Sequence, residues 1–178
     1  MRKSLTDKEF ETLKRYLEHE PDLDKLVIEL CLCTGARQGE VVRMTKQSFD
    51  GEKVYIKALK GSKDRFVAIS KERAVRIKKL FDHVETTVGA LLSHGKENSQ
   101  CRAIQRTFER VMMASLGSVP ISLHGLRHTF AMRMLKALDK DVVAVQAVMG
   151  HSSMNSTAAY LQCLEMEEVQ NKILIAMA

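Results

Sequence analysis

Apolar residues recur along the chain with a helical period, interrupted once by a stretch whose period is two. Thr6-Asp7-Lys8-Glu9 has the form of a capping box, and Phe10, Leu13 and Leu17 follow at helical spacing, which predicts a first helix over about 6–19. After Pro21, the residues Leu23, Leu26, Val27, Leu30 and Cys31 form the stripe of a second helix, ended by Gly35 at a C-cap position. Arg37 and Glu40 lie just beyond that cap, on a further helix with Gly39 near its start. From 52 to 69, Val54, Ile56 and Ala58 alternate with Tyr55, Lys57 and Leu59, and Phe66 and Ala68 alternate with Val67 and Ile69. Two strands are predicted there, joined by a hairpin turn at Lys60-Gly61-Ser62-Lys63-Asp64. Ser70 caps a basic helix over about 71–82, and 83–98 reads as an irregular connection. Helical stripes return over about 99–115 (Ile104, Phe108, Val111, Met112), 122–138 (Leu123, Leu126, Phe130, Met134) and 140–149 (Val142, Val145, Val148, Met149), with short helices expected over 154–161 and 165–176. The fold class that follows is mainly α with a small antiparallel β-sheet, an α+β arrangement.

Composition narrows this picture. The 178 residues suit one domain with a substantial core, and the absence of Trp beside ten Met favours helices over a sandwich. A formal charge of +6 suits a polyanionic partner without proving one. Cys31, Cys33, Cys101 and Cys163 form no C-x-x-C pair and no grouping with His at zinc-ligand spacing, so neither a disulfide framework nor a metal site is expected. The N-terminus is polar and no apolar run is long enough to span a bilayer, which gives a cytoplasmic expectation with no membrane partner.

Two places along the chain carry candidate chemistry. His124 and Arg127 are three apart and project together from the predicted 122–138 helix. An imidazole passes protons near neutral pH and a guanidinium clamps two phosphate oxygens, so H-x-x-R suits phosphate chemistry. On its own the pair is a weak signal, because a surface His beside a surface Arg is common. Further on, Gly150-His151-Ser152-Ser153 precedes Tyr160 by a turn and one short helix. Singly, His151 reads as a capping residue and Tyr160 as a half-buried aromatic.

Taken together, and in their order, Thr34-Gly35-Ala36-Arg37, His124-Gly125-Leu126-Arg127-His128-Thr129-Phe130-Ala131, and Met149-Gly150-His151-Ser152-Ser153 with Tyr160 resemble the signature boxes of the tyrosine recombinase (phage integrase) family. The segment Leu59–Val67 resembles that family's β-hairpin, which carries a catalytic lysine in a K-G-x-K-x-R context and so points to Lys60. The resemblance spans almost the whole chain.

It implies the integrase-like catalytic core fold and an enzyme that cuts and rejoins double-stranded DNA through a 3′-phosphotyrosyl link, with no metal, cofactor or ATP. Tyr160 would be the nucleophile, Arg37 and Arg127 the charges on the phosphorane oxygens, and His151 a further hydrogen bond. His124 would help move the tyrosine proton, and Lys60 would protonate the departing 5′ oxygen. Glu40 would support Arg37, while His128 would serve packing. Lys63 and Arg65 by the hairpin, and Arg102 and Arg106 on the 99–115 helix, are candidate phosphate contacts. The resemblance also implies a homo-tetramer on paired DNA sites, held through the C-terminal helix, and a role in integration or excision of a phage or mobile element. Most family members place a helical core-binding domain ahead of the catalytic one. Residues 1–178 read as the catalytic domain alone, so this chain is expected to be a truncated integrase or a short single-domain inversion recombinase. A catalytically silent DNA-binding module of the same fold and a type IB topoisomerase are the competing readings.

Overall fold

The structure is a computed structural model that describes residues 3–59, 62–82, 84–151, 161, 162 and 169. Helix α1 (Asp7–Glu18) begins with a complete capping box, in which the Glu9 N–H donates to Thr6 Oγ1 at 3.3 Å and the Thr6 N–H to Glu9 Oε2 at 2.9 Å. Helix α2 (Leu23–Thr34) starts where Asp22 Oδ1 accepts the Lys25 N–H at 2.8 Å, and it stops at Gly35, whose φ of 59° is left-handed. Most α2 side chains are buried, as befits a helix that is apolar nearly all round. Its buried Glu29 is answered by Arg73 Nε at 3.0 Å and Arg76 Nη2 at 3.2 Å.

A short helix, α3 (Gln38–Val42), leads to a sheet of β1 (Phe49–Asp50), β2 (Lys53–Ile56) and β3 (Arg65–Ala68), antiparallel and in that order. The register pairs Val54 with Val67 and Ile56 with Arg65. Alternation therefore turns Val54, Ile56, Arg65 and Val67 inward, while Tyr55 and the exposed Phe66 meet on the outer face as a tilted pair with centroids 5.1 Å apart. Asp64 braces the hairpin by accepting from Tyr55 Oη at 2.6 Å and from the Ala58 N–H at 2.7 Å.

Further α-helices are α4 (Lys71–Lys78), α5 (Val88–Leu92), α6 (Glu97–Leu116), α7 (Leu123–Ala137) and α8 (Val142–Met149), with 3-10 turns at Lys46–Ser48 and Lys79–Phe81. Helix α2 packs against α1, α4, α6 and α7, so Leu13, Val27, Ile28, Leu30, Ile104, Phe108, Met112, Leu126 and Leu135 meet in one core. The stretch 83–98, expected to be irregular, contains α5: Thr87 caps it, and the Val88 N–H is held by the Met44 carbonyl at 2.9 Å. The sheet has three strands where two were expected, because Phe49 and Asp50 pair with Val54 and Lys53. The short helices expected over 154–161 and 165–176 fall almost entirely outside the described residues.

Candidate active site

Arg37 stands at the N-cap of α3, immediately after the turn that closes α2. Its backbone N–H donates to Glu40 Oε2 at 2.7 Å, which fixes the start of the helix, and its side chain remains about 34% exposed. The guanidinium donates through Nη1 to Ser62 Oγ of the hairpin and lies 3.7 Å from Glu40 Oε1. The turn depends on Gly35 for two reasons. Its φ is left-handed, and a Cβ there would sit 2.4 Å from Phe130 Cδ1 of α7.

Arg127 is only 2% exposed and links the separate parts of the site. Its Nη1 donates to the Gly35 carbonyl at 2.5 Å and its Nη2 to the Met149 carbonyl at 2.8 Å. One guanidinium thus fastens the Arg37 turn to the end of α8, where Gly150, at φ 64°, hands the chain to His151. His124 lies one helical turn before Arg127, and Arg37, His124 and Arg127 line one cleft of about 210 Å³ together with Cys31, Gln38 and Gln105. His151 is buried beside them, its carbonyl accepting from Gln146 Nε2 at 3.1 Å. The tip of the hairpin docks on the same turn, since the Lys63 N–H donates to the Gly150 carbonyl at 3.1 Å and Ser62 bridges to His151.

The electrostatics of this cluster favour neutral imidazoles. Burial, reinforced by the charges of Arg127, Arg37, Arg65 and His124, pushes His151 down to about 4. Burial with the charges of Arg127 and Arg37 lowers His124 as well. The ring of His128 meets that of His124 edge-on at 4.9 Å, and burial, His124, Lys3 and Arg127 bring it to about 4. A neutral imidazole next to two fixed cations can accept a proton that a cationic one could not. Among the described residues, no three of His, Cys, Asp and Glu are grouped so as to hold a metal ion.

One sequence expectation needs correction. Arg65, taken as a phosphate contact, is buried with its side chain 3% exposed, and its fork closes on Glu40 with Nη1 to Oε1 at 3.1 Å and Nη2 to Oε2 at 2.9 Å. Pairing with Ile56 on the inner face of the sheet keeps it from solvent. Glu40, expected to support Arg37, gives that residue a backbone contact and gives Arg65 its bidentate partner. Burial alone would raise the Glu40 carboxyl, but the bonds from Arg65 and from the Arg37 backbone, with the charges of Arg65 and Arg127, hold it below the ordinary value. Lys63, Arg102 and Arg106 are exposed, the last two on the outer face of α6. Lys60 and Tyr160 lie outside the described residues. Sequence reasoning missed Ser62, the clamping carbonyls of Gly35 and Met149, and the cleft-lining Gln38 and Gln105, whose residue types carry no signal by themselves.

The model of the phage integrase family matches residues 3–167. The chain belongs to that family. This integrase-family chain is 30% identical to tyrosine recombinase XerC of Chlamydia pneumoniae over 146 residues, covering 78% of this chain and 46% of the relative. It is 28% identical to tyrosine recombinase XerC of Staphylococcus aureus strain JH9 over 163 residues, covering 86% and 54%. The chain therefore spans about half the length of the curated relatives it matches. Among solved structures, the XerA recombinase is similar in fold with a TM-score of 0.69 at 21% identity, over 96% of this chain and 65% of that one. The catalytic domain of bacteriophage HP1 integrase follows with a TM-score of 0.58 at 22% identity, over 89% and 86%. These likenesses establish the integrase catalytic fold, mostly helical with its small antiparallel sheet.

Proposed function

We propose that this chain is the catalytic domain of a site-specific DNA recombinase that cleaves and rejoins strands through a covalent bond between Tyr160 and a backbone phosphate. The observation that carries the reading is the convergence of Arg37, His124 and Arg127 on one cleft, with the His151 turn tied to it through Arg127. Two guanidiniums beside a partly open cleft suit a pentacovalent phosphorane, whose charge they neutralise as it develops. The Tyr160 oxygen attacks phosphorus, its proton leaves toward neutral His124, and the 5′ oxygen departs with a proton from Lys60. The phosphotyrosyl bond conserves the energy of the phosphodiester, so a 5′ hydroxyl reseals the strand without ATP. Attack by a hydroxyl from a partner strand makes the step recombination.

The substrate is double-stranded DNA, held by phosphate contacts from exposed Lys63, Arg102 and Arg106. The enzyme works as a homo-tetramer on paired sites in the cytoplasm, integrating or excising a mobile element. A cleft of about 810 Å³, lined by apolar Phe10, Leu32, Phe130, Met134 and Val148 and also by charged Glu11, Lys14, Glu18, Arg73 and Arg133, supports the assembly. Leu164, Val169, Ile173 and Met177 supply an amphipathic C-terminal segment of suitable chemistry for it. No described helix is long and apolar enough to cross a membrane.

The test uses a library of nicked duplexes with a randomised core, incubated with the protein and resolved by denaturing electrophoresis. Wild type should retain DNA covalently and enrich a sequence over successive rounds, whereas Tyr160→Phe should retain none. A wild-type protein that binds duplex but never captures it would identify a silent DNA-binding module instead. Relaxation of supercoiled plasmid without sequence preference would identify a topoisomerase.

A further inference from the structure

Behind Arg37 lies a buried ion pair, Glu40 with Arg65, that bears on where the Arg37 guanidinium is directed. Glu40 is fully buried and Arg65 nearly so, while Arg37 reaches the open cleft. A buried carboxylate must be neutralised by a cation within reach, and here two compete for it. The fork of Arg65 takes both oxygens, at 2.9 Å and 3.1 Å, and leaves the Arg37 guanidinium outside the tight pair at 3.7 Å. Arg37 is nonetheless poised to close that gap, because its own N–H already binds the same carboxylate at 2.7 Å.

We propose that Arg65 is a positioning residue that occupies the Glu40 carboxylate and so keeps the Arg37 guanidinium available to an oxyanion in the cleft. Arg65 is itself held on its other side. A Cβ on Gly150 would lie 2.8 Å from Arg65 Cδ and 2.9 Å from Arg65 Nη1, so the glycine before His151 is the floor on which the guanidinium rests. Hairpin, α3 and the α8 turn are thereby locked to one another through a single side chain. A lysine could not replace it, since an ammonium is a point charge and cannot hold both oxygens in a planar fork. With Arg65 gone, Glu40 turns to the nearest remaining guanidinium, and Arg37 becomes half of an internal ion pair.

The inference rests on the phosphoryl-transfer reading, and its test has one arm that needs no DNA. Wild type, Arg65→Gln, Arg65→Lys and the double variant Arg65→Gln/Glu40→Gln are titrated with inorganic phosphate, followed by the NMR signals of the Arg37 side-chain N–H and the His124 ring. The same proteins are compared in single-turnover capture of the nicked duplex selected above. Arg65→Gln should weaken phosphate binding and slow capture by about 10²-fold, the scale of losing one preorganised charge donor, while duplex affinity stays close to wild type. The double variant, with no carboxylate to seize Arg37, should recover most of both losses. A purely structural Arg65 would give no recovery, and that result, or a single variant equal to wild type, overturns the proposal. Should Arg65→Gln fail to fold, Arg65→Lys decides the matter through a smaller loss in both arms, and unchanged phosphate binding and capture in it would overturn the proposal equally. If wild type captures no duplex but binds phosphate, the catalytic reading fails and the phosphate arm still judges Arg65. If it does neither, both fall.

Discussion

Replacing Gly35 with alanine perturbs the site at the point where three elements meet. The residue has a φ of 59°, and an L side chain in that region costs about 1–2 kcal/mol. The added Cβ would also lie 2.4, 2.8 and 3.0 Å from three atoms of the Phe130 ring. Phe130 is 6% exposed and has little room to swing away, so overpacking adds about 1–3 kcal/mol. The two effects together come to about 2–5 kcal/mol, and at roughly 2–4 °C per kcal/mol for a chain of this size the melting temperature should fall by roughly 10 °C. Gly51→Ala is the internal control, because Gly51 has a φ of 55° but nothing within 4 Å of its would-be Cβ. It should lose only the conformational part, about 1–2 kcal/mol. Urea and thermal unfolding of both variants, with a double-mutant cycle of Gly35→Ala against Phe130→Leu, separate the two contributions. Equal destabilisation of the two glycine variants, or no coupling with Phe130, would refute the steric argument.

Other outcomes follow from the same geometry. Arg127→Ala strips the Gly35 and Met149 carbonyls of their donor, so stability should drop by about 2–4 kcal/mol in chemical unfolding, and covalent capture should vanish. His151 and His128 have folded values near 4 against an ordinary 6.5, so the unfolded chain binds their protons first as pH falls. Their contribution to stability is whole above about pH 6.5 and is lost toward pH 4, a decline on the order of a few kcal/mol, and a flat profile of unfolding free energy between pH 7 and 4.5 would contradict it. Lys63→Ala, Arg102→Ala and Arg106→Ala should each weaken binding to any duplex and reduce the slope of log affinity against log salt by about one, measured by fluorescence anisotropy.

Helix positions were readable in the sequence wherever a cap and a stripe agreed. Thr6 and Ser70 accept the backbone bonds expected of them, and Gly35 and Gly150 end their helices in the left-handed region. Helix α5 escaped because five residues cannot show a period, and the Met44 carbonyl that anchors its start is distant in sequence. Strand β1 has two residues and exists only through its pairing with β2. The family boxes named Arg37, His124 and Arg127 of the cleft, yet the groups that tie its parts together include the backbone carbonyls of Gly35, Met149 and Gly150, which no sequence motif displays. Arg65 was legible in part. Strict alternation places it on the face of Val67 and Ile69, inward, and a charge on an inward face calls for a buried partner.

In the proposed reaction the phenol of Tyr160 becomes bonded to phosphorus in a site held by Arg37 and Arg127. Covalent protein–DNA product from the selected duplex, digested with protease and nuclease and read by tandem mass spectrometry, locates that bond directly. A nucleotide 3′-phosphate carried on the peptide containing Tyr160 is the expected result, and its appearance on any other residue would contradict the account.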